Sequence, residues 1–339
     1  MANRRVLFVL LVLAAIVCLI FLRQSDGRKD ASYQHNEGII FGTVFHARYL
    51  YDRDLQAEIE AELGKVDASL SMFNPKSTIS RINKGETSET DEMLNEVLSL
   101  SFSVNQATGG AFDPTVAPLV NAWGFGFKKG QLPNAGQVDS LLTLVGLSSI
   151  HIEGNKLTKD NPLSILDFSA IAKGYGVDKA AEVLRGKGIK NFMVEIGGEV
   201  VTEGLNEKGE PWRIGINKPD DDSTSTSSEL QDIIALSGKA IATSGNYRNF
   251  YIKDGRKIAH TINPKTGYPA QQDILSSTVM APTCAEADAF ATAFMVLGME
   301  GARQVLQSQP RLEAYFICSD EQGNYMTWCT EGFKKLLVK

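Results

Sequence analysis

The 339-residue chain is poor in the residues that announce common enzyme chemistries. It has four histidines, at positions 35, 46, 151 and 260, too scattered for a zinc enzyme, and no His-Glu-x-x-His. Gly-x-Ser-x-Gly is missing, which removes the nucleophile-elbow hydrolases. Neither Gly-x-x-x-x-Gly-Lys-Ser/Thr nor a strand followed by Gly-x-Gly-x-x-Gly occurs, so the usual nucleotide loops are absent. Cysteine is sparse: Cys18, Cys284, Cys318 and Cys329 form no Cys-x-x-Cys and no dense disulfide framework. One disulfide is allowed, and the spacing does not choose its pair. There is no basic excess either. Net charge is −6; residues 1–30 carry five basic against two acidic residues, +3, leaving −9 for the rest. A nucleic-acid footprint is thereby excluded.

What is present begins with an apolar run of 17 residues, Val6 to Leu22, between Arg4–Arg5 and Arg23. That is the short end of a spanning helix, about 17–25 residues, and exceeds the apolar part of a usual signal peptide. The early arginines favour a cytoplasmic N-terminus, with the bulk of the chain outside. Ala15-Ile16-Val17-Cys18 is close to a lipoprotein cleavage site but has Val17 where a small residue is wanted. The reading is an anchor or signal segment over 1–23, a polar tether over 24–36, and one domain over 37–339. The expected location is a membrane, with that domain on its outer side.

Within the domain, Ile39 to Tyr51 has strand character. Leu55, Ile59, Leu63, Val66 and Leu70 form an apolar stripe at helical spacing. A second helix is expected over Glu92–Ala107, ended by Gly109–Gly110. Two short strands between Leu157 and Phe168, a helix over Ile171–Arg185 and a strand over Asn191–Ile196 read as a β-α-β unit. Pro219–Glu229 reads as a solvated loop. Ser276–Met280 reads as a strand, and Thr283 with Glu286 as a capping box for a helix that stops at Gly298. Tyr315–Cys318 and Tyr325–Trp328 read as a closing hairpin.

Asp288 and Thr292 are four apart on that last helix and share a face. A carboxylate beside a hydroxyl suits a hard cation such as Mg²⁺. Ala289, Phe290, Ala291, Ala293, Phe294, Met295 and Val296 make the helix apolar almost all round, so it is expected to be buried, and a buried aspartate needs a partner or a metal. Ala242 to Asn246 reads as a small-residue turn able to hold phosphate oxygens. His260, between a strand and the Pro-Lys-Thr-Gly turn, is a candidate general base. Asp113 precedes Pro114 in Gly110-Ala111-Phe112-Asp113-Pro114, and Phe41, Phe73 and Phe112 could stack on aromatic rings. These residues reach metal-assisted phosphate chemistry on a nucleotide without naming the nucleotide.

Eight segments in order carry a resemblance to a known family: Phe41-Gly42-Thr43; Asp67 to Phe73 with Ser77 to Asn83; Thr108 to Thr115 with Trp123 to Gly126; Leu166 to Tyr175; Val194-Glu-Ile-Gly-Gly-Glu199; Ala242 to Tyr247; His260 to Gly267; and Ala287 to Thr292. Together they resemble the ApbE family of FAD:protein FMN transferases. The resemblance implies an α+β fold of two T-fold-like lobes, with mixed or antiparallel sheets and packed helices, and a flavin site between the lobes. It implies that FAD lies against Phe41, Phe73, Ala111, Phe112, Asp113, Asp167, Lys173 and Ile262. It implies Mg²⁺ on Asp288, Thr292 and the backbone oxygen of Ala170, a position where many relatives have a hydroxyl side chain. The implied reaction moves FMN from FAD to an acceptor threonine and releases AMP, with His260 taking the proton. The implied acceptors are subunits of membrane redox complexes of the Nqr and Rnf types carrying a Ser/Thr-Gly-Ala-Thr-like site. An aromatic ring at Phe73 favours transfer over hydrolysis of FAD to FMN and AMP; the alternatives are that pyrophosphatase activity or a non-catalytic flavin-binding protein.

Overall fold

The computed structural model describes residues 31–126, 132–219, 230–246, 250–253, 256–319 and 325–338. The apolar leader, residues 24–30 of the expected tether, most of the Pro219–Glu229 loop and the turn at Gln322–Asn324 lie outside them. No helix among the described residues is long and apolar enough to cross a membrane.

Alternating burial along β1 (Ser32–Ile40) and β2 (Thr43–Tyr51) builds an edge hairpin. Its turn is Phe41-Gly42, with φ of 52° and 75°; two consecutive left-handed residues match the twist of a two-residue hairpin. Residues 32–36, read from sequence as tether, are therefore strand. The hairpin starts an eight-stranded sheet in the order β1-β2-β5-β6-β9-β12-β13-β14. The added strands are β5 (Phe192–Ile196), β6 (Glu199–Glu203), β9 (Lys239–Gly245), β12 (Ile274–Ala281), β13 (Glu313–Ser319) and β14 (Tyr325–Cys329). Every neighbouring pair is antiparallel.

Helices α1 (Gln56–Leu70), α6 (Ala172–Gly186) and α7 (Cys284–Ser308) cover one face. Ile59 and Leu63 of α1 and Val177, Ala180 and Leu184 of α6 meet Phe45, Tyr49, Phe192 and Val194 of the sheet in one buried cluster. The alanine-rich first half of α7 packs in a second cluster with Leu94, Val97 and Leu98 of α3 (Glu92–Ala107). The other face is closed by the hairpin β7 (Trp212–Asn217) and β8 (Leu230–Leu236) and by Phe333 of the short C-terminal helix. Three smaller helices, α2 (Thr78–Asn83), α4 (Ala117–Ala122) and α5 (Ala135–Leu142), complete the helical part that bears on the site. Leu119, Trp123, Val138 and Ile262 form a small separate apolar cluster.

The α+β reading holds, but the expected β-α-β unit does not form. β3 (Ile150–Glu153) and β4 (Lys156–Lys159) make a hairpin outside the main sheet, as do β10 (Phe250–Lys253) and β11 (Arg256–Ala259), and the strand after α6 joins β2 and β6 antiparallel. Residues 161–168 are not a strand. Asn161 accepts from Leu163 N at 3.0 Å through its side chain and from Ser164 N at 3.0 Å through its carbonyl, which turns the chain. Further on, the Asn83 amide satisfies both backbone groups of Leu166, at 2.7 and 2.9 Å, as a neighbouring strand would. Ala242–Gly245, read as a turn, is the second half of β9. Thr283 does cap α7 by accepting from Glu286 N at 3.3 Å. The capping box stays half-formed, because the Glu286 carboxylate pairs with Arg311 instead. The helix breaks at Gly298 as expected (φ 70°, ψ −177°), then resumes to Ser308. Cys284, Cys318 and Cys329 are all free thiols.

Candidate flavin site

The α6 and α7 helices start beside each other and approach unusually closely. Gly174 has no side chain, and a Cβ there would stand 2.3 Å from the Cys284 carbonyl oxygen. The close approach lets Asp288 of α7 accept the backbone N–H of Gly174 at 3.1 Å, capping the first turn of α6. Asp178 of α6 does the reverse, accepting from Cys284 N at 2.8 Å and Ala285 N at 2.9 Å.

A cavity of about 450 Å³ opens at this junction, within the size range of ligand pockets. One wall comes from the main body: Ala170 and Lys173, the Gly197–Gly198 turn, Glu199, Thr243 to Gly245, Asp288, Thr292 and Val296. The lining also takes in Ala111 to Pro114, Val116, Val120, Asp167 and the segment His260 to Ile262 with Pro264. The pairing of β6 with β9 ends at Val200 and Ile241, so the strands part and Thr243 to Gly245 face the cavity.

The charges there are unequal. Lys173 Nζ lies 2.6 Å from Glu199 Oε1 and 4.0 Å from Asp288 Oδ2, so one ammonium serves two buried carboxylates. Burial pushes the Glu199 carboxyl above the ordinary carboxylate range, while the Lys173 ammonium beside it pulls the other way and favours its charge. Burial also opposes the Lys173 charge, yet Asp288 and Glu199 together outweigh it and hold the ammonium well above the ordinary lysine range. The 2.6 Å contact is that of an ion pair, and the proton belongs to Lys173. A surplus negative charge in a buried cleft invites a cation.

The donor set fits a hard one. Thr292 Oγ1 lies 3.0 Å from Ser244 Oγ one turn beyond Asp288, and Ala170 lines the same wall. No group of three histidine, cysteine or acidic side chains clusters among the described residues. A cation there would therefore rely on hydroxyl and backbone oxygens beside one carboxylate, a set that suits Mg²⁺.

Asp113 is buried and its carboxyl is fully engaged. Oδ1 accepts from Thr115 N at 2.8 Å and Thr115 Oγ1 at 2.5 Å; Oδ2 accepts from Leu147 N at 3.0 Å. Burial raises its pKa in spite of these bonds. It shapes the wall that presents Ala111 and Phe112. Asp167 accepts from Ser169 N at 2.9 Å and Ser169 Oγ at 2.6 Å. His260 is half-buried on the wall, its ring 6.3 Å edge-on from Phe125. Thr261 donates to Asn246 Oδ1 at 2.7 Å, tying that segment to the end of β9.

The model of the ApbE family matches residues 41–316. The chain belongs to the ApbE family. A curated relative from Vibrio cholerae named FAD:protein FMN transferase is 36% identical over 338 residues, covering 96% of this chain and 99% of the relative. One of the same name from Haemophilus influenzae is 36% identical over 96% of this chain and 98% of the relative. Among solved structures, the flavin transferase ApbE of Vibrio cholerae superposes with a TM-score of 0.81 at 35% identity, covering 91% of this chain and all of that one. The apo flavinyl transferase ApbE of Pseudomonas stutzeri gives 0.80 at 31% identity, with 90% and 97% covered.

Of the twelve site residues named from the ApbE resemblance, ten line the cavity: Ala111, Phe112, Asp113, Asp167, Ala170, Lys173, His260, Ile262, Asp288 and Thr292. Phe41 and Phe73 are not among the lining residues. The strained Phe41 turn points its ring inward, where a Cβ on Gly176 would meet it at 2.5 Å. Phe73 sits on the loop after α1, 77% exposed. Ser77 Oγ donates to the Ser71 carbonyl at 2.6 Å and Asn74 to Asp67 at 2.8 Å, folding that loop on itself. Glu199 was not singled out from the sequence. Its place at the end of the Gly-Gly-Glu segment was the available signal.

Proposed function

We propose that this chain transfers FMN from FAD to a threonine hydroxyl of an acceptor protein, with Mg²⁺ as the metal. The observation that carries the reading is the Lys173–Glu199–Asp288 charge cluster at the mouth of two helices in the cavity, in a member of a flavin transferase family. The start of α6 offers positive dipole to phosphate oxygens. Lys173 supplies the fixed positive charge beside them. When bound by Asp288, Thr292 and the Ala170 carbonyl, Mg²⁺ supplies charge neutralisation at the pyrophosphate.

The acceptor hydroxyl oxygen forms a bond to the FMN-side phosphorus. The bond from that phosphorus to the bridging oxygen breaks, and AMP leaves with the bond's electron pair. The hydroxyl proton goes to a ring nitrogen of His260, from which it returns to solvent. Ala111, Phe112 and Ile262 offer apolar surface to the flavin. Asp113 and Asp167 hold the loops that carry it rather than taking part in the bond changes.

The acceptors in this reading are subunits of membrane redox complexes of the Nqr and Rnf types with a Ser/Thr-Gly-Ala-Thr-like segment. The apolar leader holds the enzyme on the inner membrane with the cavity on the periplasmic side. Incubation with FAD, Mg²⁺ and a peptide bearing that segment should add the mass of FMN, less one water, to the peptide and release AMP. AMP and FMN appearing with the peptide unmodified would mean hydrolysis instead, and no AMP at all would leave only flavin binding.

A further inference from the structure

Glu199 is held rigidly where it enters the cavity. It pairs with Ile196 at the start of β6, across the Gly197–Gly198 turn, and Gly198 N donates to Glu195 Oε1 at 2.6 Å. Its residue surface is 2% exposed. Oε1 is taken by Lys173, whereas Oε2 is buried and has no hydrogen-bond partner. A buried carboxylate oxygen without a partner is costly and calls for a donor. We propose that Glu199 is a substrate-binding residue, its Oε2 accepting a hydrogen bond from an FAD hydroxyl that flanks the pyrophosphate. This rests on the flavin-transferase reading above.

A carboxylate paired to an ammonium can only accept, so phosphate oxygens, which also only accept, are ruled out as its partner. The position narrows the donor. Lys173 Nζ bridges Glu199 and Asp288, and in the reading above Lys173 and the metal on Asp288 hold the pyrophosphate, so the donors nearest Glu199 are those that flank it. The hydroxyls next to a pyrophosphate in FAD belong to the ribityl chain on one side and the adenosine ribose on the other. The flavin imide and the adenine amino group are remote. Gly198 adds nothing to crowd the approach, since a Cβ there would meet no atom within 4 Å.

The test is a binding cycle, read by flavin fluorescence without Mg²⁺ or acceptor. FAD, ribityl-deoxy analogues and deoxyadenosine analogues are titrated into the wild-type protein and Glu199→Ala. One deoxy analogue should bind the wild type about ten- to a hundredfold more weakly than FAD, the scale of a hydrogen bond to a charged group. The same analogue should bind Glu199→Ala as well as FAD does. Whether it is a ribityl or a ribose analogue identifies the source. Equal penalties in both proteins would overturn the proposal. So would a wild type that binds every analogue as it binds FAD, a result that needs no variant. Because Glu199→Ala strands the Lys173 ammonium, Glu199→Gln is measured beside it and should show a reduced penalty. FAD failing to bind the wild type would instead overturn the flavin reading itself.

Discussion

Asp178 and Asp288 each cap the other's helix. Asp178 on α6 receives Cys284 N and Ala285 N at the start of α7, and Asp288 on α7 receives Gly174 N at the start of α6. The relative position of the two helices is thus fixed by the residue proposed to hold the metal and by a second carboxylate on the opposite side of the junction.

Replacing Asp288 with alanine removes a proposed metal ligand and a cap together. Transfer of FMN, measured by acceptor mass, should fall at least about a hundredfold. The loss of the cap should cost about 1 kcal/mol in chemical denaturation. Labelling at the wild-type rate would sink the metal assignment.

Lys173→Met leaves Glu199 and Asp288 together without their cation. Destabilisation of roughly 2–4 kcal/mol is expected, toward the lower end because Lys173 keeps some contact with solvent. Added Mg²⁺ should restore part of the lost melting temperature, since it would occupy the same charge deficit. A variant as stable as the wild type would mean that the cluster is solvated.

His260→Ala should bind FAD with wild-type affinity and transfer FMN about 10²–10⁴ times more slowly. Single-turnover kinetics separates the two. An unchanged rate would remove His260 as the proton acceptor.

Phe73 is so exposed that Phe73→Asn should change stability by no more than about 0.5 kcal/mol. If its ring closes over the flavin, as proposed for a transferase, FAD affinity should drop about tenfold and AMP release without acceptor should rise. Unaltered FAD affinity would show that the ring has no part in holding the cofactor.

The Asp178 carboxyl is pushed up to about 6, chiefly by burial and against the two backbone N–H groups that favour its charge. The folded chain therefore holds this proton more tightly than the unfolded chain, whose aspartate titrates near 4. The contribution is fully present below about pH 4 and is lost as pH rises through about 6. Between those values the wild type should lose on the order of 1–3 kcal/mol relative to Asp178→Asn, whose amide cannot ionise. Parallel stability curves for the two proteins from pH 4 to 7 would contradict this.

Much of the site was legible before the fold. The i,i+4 pair Asp288 and Thr292, in a helix apolar on nearly every side, predicts a buried oxygen-ligand face; the structure buries Asp288 and half-buries Thr292 at a cavity. The glycines ending α3 and breaking α7, the stripe of α1 and the Thr283 cap were also local. Local chemistry misled where a distant partner intervened. Asn83 stands in for a strand along Leu166, Arg311 draws Glu286 out of its capping box, and β12 pulls Ala242–Gly245 into a ladder. The amino-acid sequence by itself determined the four long helices, the Thr283 cap, the charge asymmetry of the leader and which residue types could meet a flavin and a metal, because each depends on spacing within a few residues. Only the tertiary structure decided that Glu199 and Asp288 share Lys173, that one Glu199 oxygen is left without a donor, and that Phe73 faces outward. Those facts depend on which strands and helices pack together, and no periodicity along the chain encodes them.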